Sequence, residues 1–424
     1  MKQLEAMLRA DARVTDFKIN VDKKKSYEMF FVKGKLETVR CTDTCDTRVT
    51  VYAAHSDFLG NADFMVYSST TPEQLKKLID EAAQKALLIN NKPYALPENE
   101  AGEYVVESNF SEFSPEGLAS TVANTVFSAN RIDNGSLNAV EVFINRHHET
   151  VCNSRGLSKS QVRYDAMVEA IPTYNGEKQS VELYEQYNFS NLDEETLYQE
   201  IADMMTAVKA RYEAVKPQTE MKCKVVLNKG ELQELFTAIA NSLRYSSVYS
   251  HATVFHKGDE IQKDPTGDHI EITMEGSMRG NVRSVKFDRD GMSLGQVNIV
   301  HDGKAVNYFG DNRFGQYLGE KPTGNLPCLH VAAGTMNEEE ISREPYLEII
   351  SMSGLQVDFF SDYIGGEIRL AYYCDGEKVT PVTGISISGS VSEALRSIHL
   401  SSKEATHNGY VGPNKAVLEN LKIF

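Results

Sequence analysis

Beyond Lys216-Pro217 the chain breaks into short β-prone runs divided by glycine turns, at residues 284–287, 297–300, 347–351, 366–373 and 383–387. Each run has an apolar face and nothing of its own to cover it, so this many fit only a large, mostly antiparallel sheet or a partial barrel. The region opens at Met221 to Leu227 and holds one clear helical pattern. Leu232, Leu235, Phe236, Ile239, Ala240 and Leu243 recur at helical spacing, with Asn228 placed to cap the helix and Glu231 to complete the cap. Pro217 biases Lys216 away from helix and so closes the stretch before it. Ser390-Val391-Ser392-Glu393 signals one more short helix by the same capping logic.

The first half is organised differently. Residues 27–32, 36–40, 48–53 and 58–67 are β-prone, with Lys33-Gly34-Lys35 as hairpin punctuation. Thr71-Pro72-Glu73-Gln74 then starts a helix whose Leu75, Leu78, Ile79, Ala82, Ala86 and Leu87 make one apolar face. Residues 90–102, rich in Pro, Asn and Glu, read as a linker. After it, helical spacing at Leu118, Val122 and Val126 gives way to β-prone 138–143, a turn at Asn153-Ser154-Arg155-Gly156, and runs at 162–171 and 181–189. A helix with Leu197, Ile201, Met204, Met205 and Val208 on one stripe closes the unit. The expected domains are an α+β unit at 1–90 and a second at 103–215, together an N-terminal domain, followed by a β-rich domain at 219–424. The 424 residues, at ~150 per domain, agree with two to three domains.

Composition narrows the function. With 44 Lys plus Arg against 60 Asp plus Glu, the formal charge of −16 repels a phosphate backbone and argues against direct nucleic-acid contact. No uncharged apolar run approaches the ~20 residues of a membrane span, and charges interrupt residues 1–14 too often for a secretory core. Six cysteines are scattered without CxxC spacing, which fits reduced thiols in the cytoplasm rather than a disulfide framework or zinc ribbon.

Local chemistry is sparse. His147-His148-Glu149 is the most metal-like cluster, but adjacent strand residues face opposite sides, so the two imidazoles diverge and no metal is expected there. His251 and His256, with Asp259 and Glu260 behind them, flank an extended-looking Ala252-Thr253-Val254-Phe255, where positions five apart also oppose. Neither a G-x-S-x-G elbow nor a phosphate-binding glycine loop occurs. One segment stands out, 307–327, reading NYFGDNRFGQYLGEKPTGNLP. Its amides, aromatics, Arg313 and glycines suit contact with a peptide or partner, and equally suit an irregular connection shaped by glycine.

Six strings, in order, resemble the TldD/PmbA family, whose members are called modulators of DNA gyrase. They are Lys33-Gly34-Lys35-Leu36-Glu37, Asn153-Ser154-Arg155-Gly156-Leu157, Phe287-Asp288-Arg289-Asp290-Gly291, the run 297–304 (VNIVHDGK), Pro322-Thr323-Gly324-Asn325-Leu326 and the run 381–389 (PVTGISISG). Together they cover nearly the whole chain, and their collinearity carries the resemblance.

The resemblance implies an α+β architecture, with N-terminal layers of strands and helices followed by a large, mostly antiparallel β-rich domain. It also implies an intracellular metallopeptidase in which TldD-type and PmbA-type (TldE) subunits pair and unfolded peptides are cut in a chamber between them. In the TldD type, zinc is held by two histidines of an HExxxH helix and a late cysteine. Here the corresponding window reads Leu235-Phe236-Thr237-Ala238-Ile239-Ala240-Asn241-Ser242-Leu243, and the last cysteine, Cys374, precedes the 381–389 stretch. Apolar side chains cannot coordinate zinc. The expectation is therefore a subunit with no catalytic or metal-binding residues of its own and zinc in its partner, a cytoplasmic heterodimer that alone could form a homodimer. Asn312, Arg313, Tyr317, Gly324 and Asn325 are the expected substrate or partner contacts. The alternatives are a stand-alone metallopeptidase with a relocated site at His251, His256 and Glu260, and a non-proteolytic protein that binds peptides or gyrase.

Overall fold

The computed structural model describes residues 2–217 and 221–424; the expected start of the third region at 219 lies outside the described residues. The strands before residue 190 form one sheet. They are β1 (Asp16–Val32), β2 (Lys35–His55), β3 (Phe58–Val66), β4 (Ala101–Val105), β5 (Gly135–Asn153), β6 (Ser158–Asn175), β7 (Ser180–Glu182) and β8 (Glu185–Phe189). The order is β3-β2-β1-β5-β6-β4, with β7 and β8 also paired to β6. Both strand-then-helix units thus share a sheet, joined where β1 pairs antiparallel with β5.

β1 and β2 are longer than their β-prone runs, at 17 and 21 residues. The polar stretch between the runs stays extended because the β1–β2 ladder, which runs from Asp16↔Tyr52 to Val32↔Lys35 with one register shift between Phe30 and Phe31, satisfies its backbone, while the exposed part of β2 requires no apolar alternation. Lys33 and Gly34 both have positive φ, 49° and 74°, the conformation that lets a two-residue turn follow the twist of its strands.

Alternation along the strands sends Phe17, Ile19, Val21, Val140, Val142, Ile144, Ala166 and Val168 to one face. Helices α1 (Lys2–Ala10) and α2 (Pro72–Ala86) cover one end of it, and α3 (Pro115–Ser128) and α4 (Glu194–Glu213) the other. Each full burial of a residue such as Leu8 or Ile79 contributes about 2 kcal/mol. The expected Thr71–Gln74 capping box is present at α2. Helix α1 has no counterpart in the sequence reading, because only Leu4 and Leu8 are buried in its nine residues. Gly60 lets α2 approach β3; a Cβ there would stand 1.7 Å from the Ala86 carbonyl oxygen.

The rest of the chain forms a six-stranded and a nine-stranded sheet. In the first, Ile272–Glu275 lies between Gln296–His301 and Cys328–Val331. In the second, Lys224–Asn228, Tyr346–Met352, Tyr363–Cys374 and Ile385–Gly389 are consecutive. Pairing is mostly antiparallel, with parallel exceptions at Lys224–Asn228 on Tyr346–Met352 and Cys328–Val331 on Tyr410–Pro413. Helix α5 (Lys229–Ser242) packs against strands of both sheets, and Leu232, Leu235, Phe236 and Ile239 are fully buried in their common core. The architecture is the expected strand-rich α+β. Residues 284–287 make only an isolated bridge, Phe287↔Ser293, because the Asp288 carboxylate turns the chain locally by accepting from the backbone of Asp290 and Met292.

Candidate functional site

The α5 window sits where the sequence pattern puts it, but its cap differs. Asn228 is the N-cap residue without a side-chain capping bond; its Nδ2 donates instead to the Ile349 carbonyl at 2.6 Å, which pins the helix start to a neighbouring strand. Burial pushes the Glu231 carboxyl up to about 7. Leu235, Phe236, Ile239, Ala240 and Leu243 are buried, and no residue from 235 to 243 offers an imidazole, thiolate or carboxylate. Zinc does not fit this window of the helix. Cys374 is buried at the end of its strand.

The 307–327 segment contains a helix that its glycines conceal. After the short α6 (Tyr245–Tyr249), α7 (Asn312–Leu318) is capped by Asp311, whose Oδ1 accepts from Phe314 N at 2.9 Å, and ends at Gly319 in the left-handed region. The α7 side chains grip the chain's own linker. Asn312 Nδ2 donates to the Ala95 carbonyl at 2.7 Å, and Gln316 donates to the same oxygen while accepting from Ala95 N. Arg313 Nη2 donates to Asn91 Oδ1 at 2.7 Å, its guanidinium lies 5.3 Å from the centre of the Tyr317 ring, and the Tyr317 hydroxyl donates to the Lys92 carbonyl. Gly324 and Asn325 belong to another group. Gly324 has φ +78° with Leu294 packed against it, and Asn325 N donates to Asp288 Oδ2 at 2.9 Å. The five expected contact residues therefore divide into a linker clasp and a turn around Asp288.

The face of the N-terminal sheet opposite the helices is polar and partly buried. It presents Lys18, Asp22, Ser26 and Glu28 of β1, Asn145, His147 and Glu149 of β5, and Lys159, Gln161, Arg163 and Asp165 of β6, in register. Residues 286–293 cover part of it. Lys159 Nζ donates to the Gly291 carbonyl and to Ser293 Oγ, both at 2.7 Å, Lys18 pairs with Asp290, and Lys286 N donates to Gln161 Oε1 at 2.7 Å. Burial, reinforced by Asp290, raises the Asp288 carboxyl to about 6.

At the centre of this face His147 Nε2 lies 2.8 Å from Asp165 Oδ2, and its Nδ1 is 3.5 Å from Asp22 Oδ1. Burial alone would lower the imidazole pKa, but Asp165 and Asp22 outweigh it and hold it above its ordinary value. Arg163 bridges Glu149 Oε1 at 3.0 Å and Asp165 Oδ2 at 2.9 Å, and Gln161 Nε2 donates to Glu149 Oε2 at 2.7 Å. His148 points away, as its position requires. The grouping that geometry makes is His147 with Glu149, two apart on one face, plus Asp22 from the paired strand. Sequence reasoning missed it by weighing neighbours instead of alternate residues. The other proposed ligand set does not assemble: His256 Nδ1 lies 3.5 Å from Asp259, Glu260 lies 3.6 Å from Lys304, and no joint cluster with His251 forms among the described residues.

A second, polar cleft of about 340 Å³ lies where β8 meets the C-terminal region, lined by Glu185, Asn188, Arg283 and His407 among others. Burial raises the Glu185 carboxyl to about 7 and lowers His407 to about 4.

Residues 220–423 match the family model of the PmbA/TldA metallopeptidase C-terminal domain. Similar solved structures include TldE from Thermococcus kodakarensis, with 17% identity and a TM-score of 0.79, covering 100% of this chain and 98% of that one. A candidate modulator of DNA gyrase from Thermotoga maritima has 14% identity and a TM-score of 0.79, with 100% of both chains covered. Another from Bacteroides thetaiotaomicron has 13% identity and a TM-score of 0.77, covering 100% and 98%. No curated protein sequence matches the chain. Its second half is thus built on a metallopeptidase C-terminal scaffold. Residues 220–423 carry the C-terminal domain of the PmbA/TldA metallopeptidase family, and over its whole length the chain shares the fold of these structures.

Proposed function

We propose that the chain is the noncatalytic, TldE-like subunit of a two-component cytoplasmic metallopeptidase, completing a chamber in which a zinc-bearing TldD-like partner cuts unfolded peptides. The observation that carries this reading is α5. The helix is kept, but apolar residues packed into the core stand where a hydrolytic site would need imidazole and carboxylate. The fold of the Thermococcus TldE supports the pairing.

Two surfaces suit the role. Over residues 35–46 the outer edge of β2 pairs with no strand among the described residues, since β3 reaches only Thr47, and such an edge can hold an extended peptide by backbone pairing. In this reading the segment carrying Asn312, Arg313, Tyr317, Gly324 and Asn325 meets peptide or partner through the surface it builds with the linker, not through free side chains. No helix among the described residues is long and apolar enough to cross a membrane.

The test is co-expression with an HExxxH-bearing family member, followed by co-purification and cleavage of an unfolded peptide. A complex whose turnover exceeds that of the partner alone by about tenfold or more is expected, the scale of completing a positioning site. No gain over the partner alone would refute the reading.

A further inference from the structure

We propose that Asp22, His147 and Glu149 form a binding site for a divalent first-row transition cation on the polar face of the N-terminal sheet. The site is separate from α5 and from any zinc carried by a partner, and it does not depend on the function proposed above.

Strand geometry assembles it. His147 and Glu149 are alternate residues of β5 and share a face, and the β1–β5 register places Asp22 directly opposite Glu149. One donor atom from each of the three lies within 4.8 Å of the others.

The imidazole supplies the independent evidence of a ligand. His147 is only 7% exposed, yet its Nδ1 has no hydrogen-bond partner, and neither does the buried Asp22 Oδ1 that it faces. Their 3.5 Å separation is too long for a good hydrogen bond. Two donors about 2.0–2.1 Å from a shared ion at the tetrahedral angle lie roughly 3.4 Å apart, so the gap matches a bridging cation.

The surroundings are those of a ligand set. The other ring nitrogen, Nε2, meets Asp165 at 2.8 Å, the carboxylate contact that fixes the orientation of a metal-binding histidine and raises its basicity. Arg163 and Gln161 hold Glu149 in place. With the imidazole neutral, as a metal ligand must be, Asp22, Glu149 and Asp165 outnumber the facing cations Arg163 and Arg289. The Asp22 side chain is 48% exposed and gives an ion a way in. One imidazole with two carboxylates favours zinc-class ions over calcium or magnesium, whose sites are built of oxygen alone. Bound there, the ion cross-links β1 to β5 beside the covering 286–293 loop.

The test uses the untagged full chain, stripped with a chelator and titrated with ZnCl₂ by calorimetry. Cobalt(II) serves as a visible-absorption probe and calcium as a control. One equivalent of zinc should bind, and Asp22→Asn should weaken it by about tenfold or more while the circular dichroism spectrum is unchanged. His147→Gln should abolish the cobalt spectrum. Cys41→Ser and Cys45→Ser, changed on the opposite face of the ribbon, should leave binding intact. No zinc binding, zinc affinity indifferent to both Asp22→Asn and His147→Gln, or equal affinity for calcium would overturn the proposal. Hydrolysis of peptide by the zinc-loaded chain alone would support the site and count against the noncatalytic reading.

Discussion

Lys159 has no exposed side-chain surface, and its ammonium is held by the Gly291 carbonyl, Ser293 Oγ and Glu100, the last at 2.7 Å. It ties β6 to the loop that covers the polar face. Lys159→Met keeps the aliphatic stem and removes the charge, which strands the Gly291 carbonyl while Glu100, 45% exposed, returns to water. Breaking a buried pair costs about 3–5 kcal/mol where the abandoned partner stays buried. Here it does not, so urea unfolding should show a loss nearer 2 kcal/mol. Nothing in the sequence marks Lys159, because a lysine between polar strand neighbours reads as solvated. His147 and Glu149 were visible as residue types, but their partner Asp22 lies 125 positions away, and only the strand register brings it in.

Among the elements, α5 was the most legible and α7 the least. Six apolar positions at helical spacing announce α5, whereas α7 is seven residues with a glycine inside and another at its end. The strands at 16–32 and 35–55 were legible only at their apolar ends, since residues 35–48 expose both faces and the middle of the first strand, Asp22 to Ser26, is polar on both, so apolar alternation disappears. Glu231 in the first turn of α5 makes the helix sensitive to pH. Its folded pKa, about 7, stands above the ordinary 4.5, with burial the main cause, so the folded chain keeps a proton that the unfolded chain has released. The group's stability contribution is therefore fully present below about pH 4.5 and is lost as pH rises through about 7. Glu231→Gln should match the parent near pH 4 and exceed it by about 2–3 kcal/mol near pH 8, as read from paired denaturation curves.

On the scale of the whole molecule, the N-terminal sheet and its helices are joined to the C-terminal region by polar contacts at several places, among them the 286–293 loop over the sheet face, the Asn188–Asn408 and Glu200–Lys229 contacts, and the α7 clasp on residues 91–95. The clasp rests on Arg313, which bonds Asn91 and lies against Tyr94 and Tyr317. Arg313→Ala removes a charge-assisted bond and its ring contacts, ~1.4 kcal/mol together. The open linker should then be about tenfold more populated, and chymotrypsin should cut after Tyr94 correspondingly faster. An unchanged cleavage rate would show that the clasp is held by Asn312 and Gln316 alone. The sequence marked 90–102 as a connection, which holds up to Glu100, since Ala101 and Gly102 already open β4, but composition alone does not show that such a connection is bolted down by a helix more than two hundred residues later.

The pairing of β1 with β5 also governs the order in which the chain can mature. Val32 meets Ala139, and Lys18 meets Asn153, so each bond in that seam spans more than a hundred residues. During synthesis the first hairpin emerges with its inner edge bare and must wait for the middle of the protein before it is sealed. That interval is when a nascent chain of this kind is most exposed to mispairing, and truncations ending before residue 135 should accumulate as aggregates rather than as a smaller folded unit.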